Sequence, residues 1–126
     1  MTVRFYLAAN SSPEWVQVAQ QRIVELEALG WTCAFDWTRV VHEPDRLWTR
    51  LADRDVRAVS RCDVFVLLAD TETPGGMCEL GVRLGVRPRK RAYVVGGKHF
   101  FFHHRQVIRC KDWATFLDLA SRSVRP

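Results

Sequence analysis

The sequence predicts a three-layer α/β/α sandwich with a five-stranded parallel sheet of flavodoxin-like type. Three observations carry this: short β-branched and aromatic runs alternate with segments of helical periodicity, the connections between them are short, and one central run is apolar without interruption. Strands and helices alternating through short loops require right-handed parallel crossovers, which place helices on both faces of the sheet.

Val3–Ala8 reads as the first strand, ending at Ala9-Asn10-Ser11-Ser12-Pro13. Ser12 as N-cap and Pro13 at the first helical position open a helix. Val16, Ala19, Ile23, Leu26 and Leu29 then recur at helical spacing until Gly30. Trp31–Trp37 supplies the second strand, and Asp45–Ser60 an amphipathic helix with Leu47, Leu51, Val56 and Val59 on one side. Asp63–Ala69 is the central strand, because an unbroken apolar run marks burial on both faces. Thr71–Gly76 reads as a turn, Met77–Gly85 as a short helix, Ala92–Val95 as a fourth strand, Gln106–Cys110 as a fifth, and Ala114–Ser121 as the last helix.

The 126 residues, 48% of them hydrophobic, are enough to build one core, so a single domain over residues 1–126 is expected. No apolar run reaches the roughly 18 residues of a membrane span, and the first residues do not read as a signal peptide. A cytoplasmic protein that makes no membrane contact is the expectation. Cys33, Cys62, Cys78 and Cys110 fit no metal spacing and read as reduced, mostly buried thiols. The formal charge of +5 favours anionic ligands. Basic residues are spread along the chain apart from Arg87-Pro88-Arg89-Lys90-Arg91, which reads as a solvated loop, so a small anionic molecule is expected as partner rather than a nucleic acid.

Ligands of such sheets bind at the carboxyl ends of the strands. The segment Gly75-Gly76-Met77-Cys78-Glu79-Leu80-Gly81 follows the central strand and puts a carboxylate at a helix start. Amides and the helix dipole there are expected to keep Glu79 ionised, a state suited to a nucleophile. Gly75 and Gly76 admit close approach of a ligand, and Gly81 close packing of helix on sheet. The plainer reading is a glutamate that complements the dipole on a glycine turn. Asp55, on the helix feeding the central strand, can turn toward the cleft, whereas Asp63 marks the entry to that strand.

Tyr6-Leu7-Ala8 on the first strand, Asp55 ahead of Cys62-Asp63, Gly76-Met77-Cys78-Glu79-Leu80-Gly81, and a basic turn into Tyr93-Val94-Val95-Gly96 occur in that order. Together they resemble the nucleoside 2-deoxyribosyltransferase family, from about Val3 to Trp113, and in particular its small branch, which includes deoxynucleoside-monophosphate N-glycosidases. The resemblance implies cleavage or exchange of the N-glycosidic bond of a nucleoside or nucleotide, without metal or organic cofactor. It implies Glu79 as the nucleophile at the anomeric carbon, Asp55 as the group that contacts the base and aids its protonation, and Tyr6 as a hydrogen-bond partner of the nucleophile. A core aromatic is the other reading of Tyr6. The further acid that larger transferases carry before the glutamate has no counterpart in step, Glu72 being displaced. It also implies a homodimer or higher oligomer; Phe100-Phe101-Phe102 is a plausible buried patch, while Ser121–Pro126 offers no arm to a neighbouring site.

Asn10, Ser11 and Ser12 are placed to hold a sugar hydroxyl or 5′-phosphate, or merely to cap a helix, and Trp37 to stack on a base. Gly75, Gly76 and Met77 complete the expected binding set. His103-His104 has no partner at metal-ligand spacing, Ser11 and Ser60 lack a His-Asp context, and neither GxxxxGK[ST] nor GxGxxG is present. Two other functions share these features: a nucleotide-binding sensor without turnover, and an NAD glycohydrolase.

Overall fold

A computed structural model describes residues 2–86 and 89–122. Arg87 and Pro88 of the basic run, and Ser123–Pro126 of the tail, lie outside the described residues. The elements in chain order are β1 (Arg4–Ala8), α1 (Pro13–Glu27), β2 (Thr32–Cys33), α2 (Trp48–Arg61), β3 (Val64–Leu68), α3 (Pro74–Gly85), β4 (Ala92–Val95), β5 (Val107–Cys110) and α4 (Trp113–Arg122). The sheet is parallel throughout with order β2-β1-β3-β4-β5, which is the flavodoxin-like order.

Alternation of side chains along each strand divides the core in two. Phe5 and Leu7 of β1, Val64, Val66 and Leu68 of β3, and Tyr93 and Val95 of β4 pack against α1 through Ala19, Ile23 and Leu26, and against α4 through Phe116 and Ala120. Tyr6 and Ala8, Phe65 and Leu67, and Ala92 and Val94 face the other way, onto Val59 of α2, Leu80 of α3 and Phe102. Every residue of β3 is buried, as its apolar run predicts. Tyr6 is thereby committed by strand parity to the layer of α2 and α3.

Three elements differ from expectation. The second strand shrinks to two residues because the chain turns at Asp36, whose carboxylate accepts from the Thr38 amide at 3.1 Å and opens a 3₁₀ turn over Trp37–Arg39. The second helix starts at Trp48, after a 3₁₀ turn over Asp45–Leu47. The third starts at Pro74, not Met77, since proline suits the first helical turn, so Gly75 and Gly76 are helical residues and not a turn. A Cβ on Gly76 would lie 2.6 Å from Leu67 Cδ1, whereas one on Gly81 would meet nothing within 4 Å. The close packing of helix on sheet therefore belongs to Gly76 and not to Gly81.

The Phe100–Phe102 run forms a 3₁₀ turn (Phe100–His103) in which Phe102 is buried, while Phe100 and Phe101 are 74% and 50% exposed. Of the cysteines, which were expected to be mostly buried, Cys62 and Cys110 are buried, Cys33 is partly buried and Cys78 is exposed. Ser12 sits at the N-cap of α1, but its side chain makes no cap bond. No helix among the described residues is long and apolar enough to cross a membrane.

Arg83, unmarked in the sequence, is 1% exposed on α3. Its guanidinium donates to the carbonyls of Arg91 (2.9 Å), Cys62 (2.8 Å), Val59 (3.2 Å) and Asp63 (3.1 Å). One side chain thus ties α3 to the end of α2, the entry of β3 and the entry of β4.

Candidate active site

The site grows from Tyr6. Its ring is 1% exposed and stacks on Phe65 with centroids 6.0 Å apart and planes 2° from parallel, so the hydroxyl has one fixed position in the α2/α3 layer. That hydroxyl is hydrogen-bonded to both Asp55 Oδ1 and Glu79 Oε2. Asp55 comes from α2, on the side that also presents Leu51 and Ala52, its neighbours at helical spacing. Glu79 comes from the second turn of α3, one turn beyond Gly75 and Gly76.

A phenol carries one hydrogen and can donate it to one carboxylate. Two close contacts at one hydroxyl therefore call for a second proton, held by the carboxyl pair. Burial, then a hydrogen bond with Asp55, then its charge push the Glu79 carboxyl up to about 9, opposed in part by the Tyr6 hydroxyl. Burial and the two carboxylates raise Tyr6 well above the usual phenol range, so it stays a neutral donor.

The expectation that Glu79 is held ionised by a helix start is thus corrected. With α3 beginning at Pro74, Glu79 lies past the first turn, where the dipole has faded, and desolvation beside another acid prevails.

This state has a measurable consequence. A carboxyl raised from 4.5 toward 9 binds its proton more tightly in the folded chain than in the unfolded one. Its contribution to stability is complete below the unfolded value and lost as pH rises through the folded one. Thermal melts from about pH 5 to about pH 9 are expected to show a fall in Tm that Glu79→Gln reduces, and parallel curves for the two proteins would disprove the assignment.

A cleft of about 420 Å³ opens above the trio, at the carboxyl ends of β1 and β3 where strand order reverses. Tyr6, Asp55 and Glu79 form its polar floor, and Phe35, Trp37, Val40, Val41, Trp48 and Leu51 its apolar wall. Asn10, Ser11 and Thr73–Gly76 form the rim. The indole nitrogen of Trp37 donates to the Leu7 carbonyl at 2.6 Å, which holds the ring in the wall.

Of the expected binding residues, Asn10, Ser11, Trp37, Gly75 and Gly76 line this cleft, while Ser12 and Met77 do not. The Ser12 amide donates to Asn10 Oδ1 at 2.7 Å, and Asn10 Nδ2 donates to the Glu72 carbonyl at 2.6 Å. Asn10 therefore joins the loops after β1 and β3. Met77 is directed away from the cleft, onto Phe102 and its neighbours, because one helical step carries it to the far side of Gly76. Sequence reasoning missed Phe35, Trp48 and Leu51. The signal for the last two was present, since Trp48, Leu51 and Asp55 recur at helical spacing.

Among the described residues no group of three or more His, Cys, Asp and Glu side chains is arranged to hold a metal. His99 Nδ1 accepts from the Phe101 amide at 3.2 Å and His104 Nδ1 from the Gln106 amide at 3.1 Å, which are local turn contacts.

No family model matches the chain. A search of curated proteins likewise finds no match. Among solved structures, the fold is similar to that of the CMP N-glycosidase BcmB of Clostridium botulinum, with a TM-score of 0.58 and 16% identity over 91% of this chain and 96% of that one. The likeness at this identity is one of fold.

Proposed function

We propose that the chain is an N-glycosidase acting on a nucleoside or nucleotide, with Glu79 as nucleophile, Asp55 as acid and base, and Tyr6 as the hydroxyl between them. The observation that carries this reading is that one buried phenol joins two carboxyl groups at the floor of an apolar-walled cleft. Similarity of fold to a CMP N-glycosidase supports the same chemistry.

Two oxygens that each lie one O–H···O bond, about 2.7 Å, from a shared hydroxyl are at most about 5.4 Å apart. This is the close spacing of glycosidases that form a covalent intermediate, too short to seat a water between the acid and the sugar. In the first step a Glu79 oxygen bonds to C1′ while the N-glycosidic bond breaks, its electron pair leaving with the base nitrogen and Asp55 delivering the proton. In the second, water attacks C1′, Asp55 takes a proton from it, and Glu79 departs. The step needs the negative charge on Glu79 and the proton on Asp55. Entry of a sugar that develops positive charge favours that arrangement, and the Tyr6 hydroxyl is the path between the two oxygens.

Trp37 and Phe35 offer aromatic faces to the base, and the hydroxyl of Ser11 lies at the rim for the sugar or its 5′-phosphate. The site is expected to work without metal or organic cofactor, in a cytoplasmic single-domain protein that assembles as a dimer or larger. Incubation with 2-fluoro-2-deoxy nucleoside and nucleotide analogues is expected to add one sugar mass to the peptide containing Glu79. A chromatographic screen of nucleosides, monophosphates and NAD identifies the base released. Binding without any adduct or released base would instead make the cleft a sensor.

A further inference from the structure

We infer that the outer face of α2 is a docking surface for the sugar-phosphate backbone of a nucleic acid. Arg50, Arg54, Arg57 and Arg61 recur on α2 at intervals of four, three and four residues. At about 100° per residue these positions fall within roughly 60° of arc, and at about 1.5 Å per residue they extend over roughly 16 Å. All four are exposed, and Arg46 in the turn before the helix extends the row.

Tertiary structure adds what the helix alone does not supply. Arg4 of β1 joins Arg54, Arg57 and Arg61 around a recess of about 170 Å³ floored by Ala34, Phe35 and Cys62. Lys90, before β4, donates to the Ser60 carbonyl at 3.1 Å, which brings this lysine against the same end of α2. Positive charges far apart in sequence become one surface, contrary to the expectation from their spread.

Among the described residues these guanidiniums form no ion pair with an acid. The ion pairs of the described residues are Arg22 with Glu25, Arg39 with Asp36 and Arg122 with Asp118, none of which belongs to this face. The acids nearest in sequence are Asp53, which forms no such pair, Asp55, which is turned to the cleft and bonded to the Tyr6 hydroxyl, and Asp63, whose carboxylate accepts from the Arg4 amide at 2.9 Å. The Arg54 guanidinium lies over Phe35, its central carbon 5.1 Å from the ring centroid. Concentrated like charge without neutralisation opposes folding, and a polyanion relieves it.

The chemistry selects the occupant. A protein partner needs apolar anchors at the centre of the contact, whereas the residues of α2 on this arc are arginines and the one large apolar side chain of the recess, Phe35, lies beneath Arg54. A membrane-surface helix needs a continuous apolar face to insert, whereas Val59 of α2 is buried against the sheet, Trp48 and Leu51 line the cleft, and Val56 is exposed but lies about 100° or more from the middle of the arginine arc. Phosphate groups in series, by contrast, are met by planar forked donors repeated along a line. This surface lies about opposite the cleft-facing side of α2 and shares only Phe35 with the lining of the cleft, so the inference does not depend on the chemistry of Glu79.

The test is fluorescence anisotropy of a labelled mixed-sequence single-stranded oligonucleotide of about 20 nucleotides, titrated with the full chain at several KCl concentrations. Four phosphate contacts are expected to give a slope of log K against log salt near about −3. Arg54→Gln with Arg57→Gln is expected to weaken binding at least about tenfold and to flatten the slope by about 1.4. Arg57→Gln with Arg61→Gln, which leaves the stack on Phe35 in place, is expected to do the same. Glu79→Gln is expected to bind like the unaltered chain, which separates this result from any failure of the glycosidase reading. No salt-dependent binding, a slope unchanged in both double variants, or tighter capture by phosphatidylserine vesicles or polyglutamate than by the oligonucleotide would overturn the inference.

Discussion

Glu79→Gln is expected to lower base release by about 10³-fold or more while leaving the fold intact, because in the proposed reaction a carboxylate oxygen of Glu79 bonds to C1′, and the amide keeps the shape of the side chain without that nucleophile. Glutamine still reaches the Tyr6 hydroxyl, and it removes a buried acid whose charge the site disfavours. The variant is therefore expected to match or exceed the unaltered chain in Tm above neutral pH. Tyr6→Phe keeps the stack on Phe65 and deletes only the shared hydroxyl, so its loss is expected to be smaller, about 10- to 100-fold, with a shifted pH profile. The measurement is free base released under single-turnover conditions, with far-ultraviolet circular dichroism as the control for folding. Full turnover by Glu79→Gln would remove this carboxyl from the mechanism.

Arg83→Ala is expected to cost about 3–5 kcal/mol of folding stability, read from urea unfolding. Four carbonyls, from α2, the entry of β3 and the entry of β4, lose their donor where water does not replace it. Arg83→Lys is expected to recover little of this, since one ammonium cannot fork toward three elements. Activity is expected to decline with stability, because the same guanidinium holds α3, which carries Glu79, against the end of α2, which carries Asp55. A loss within about 0.5 kcal/mol would mean that neighbouring groups satisfy those carbonyls.

Arg83 illustrates why a buried charge is hard to find in a sequence. Val82-Arg83-Leu84 gives no hint that the arginine faces inward, because its partners are main-chain carbonyls, which every residue possesses. Gly76 and Gly81 make a related point. Both precede or follow Glu79 on α3, and only the placement of Leu67 beneath one of them distinguishes close packing from open space.

The sequence by itself determined the order and type of the strands and helices and the parallel sheet, whereas the roles of Tyr6, Asp55 and Glu79 were implied only by a family resemblance. Periodicity and capping chemistry are local, and they act on each segment regardless of its neighbours. Only the tertiary structure decided that one phenol bridges both carboxyl groups, and that Glu79 holds a proton where a helix start would keep it charged. It alone turned Met77 from the cleft and gathered Arg4, the arginines of α2 and Lys90 onto one surface. Protonation and charge density depend on desolvation and on distances between segments far apart in the chain, and those are fixed when the layers pack.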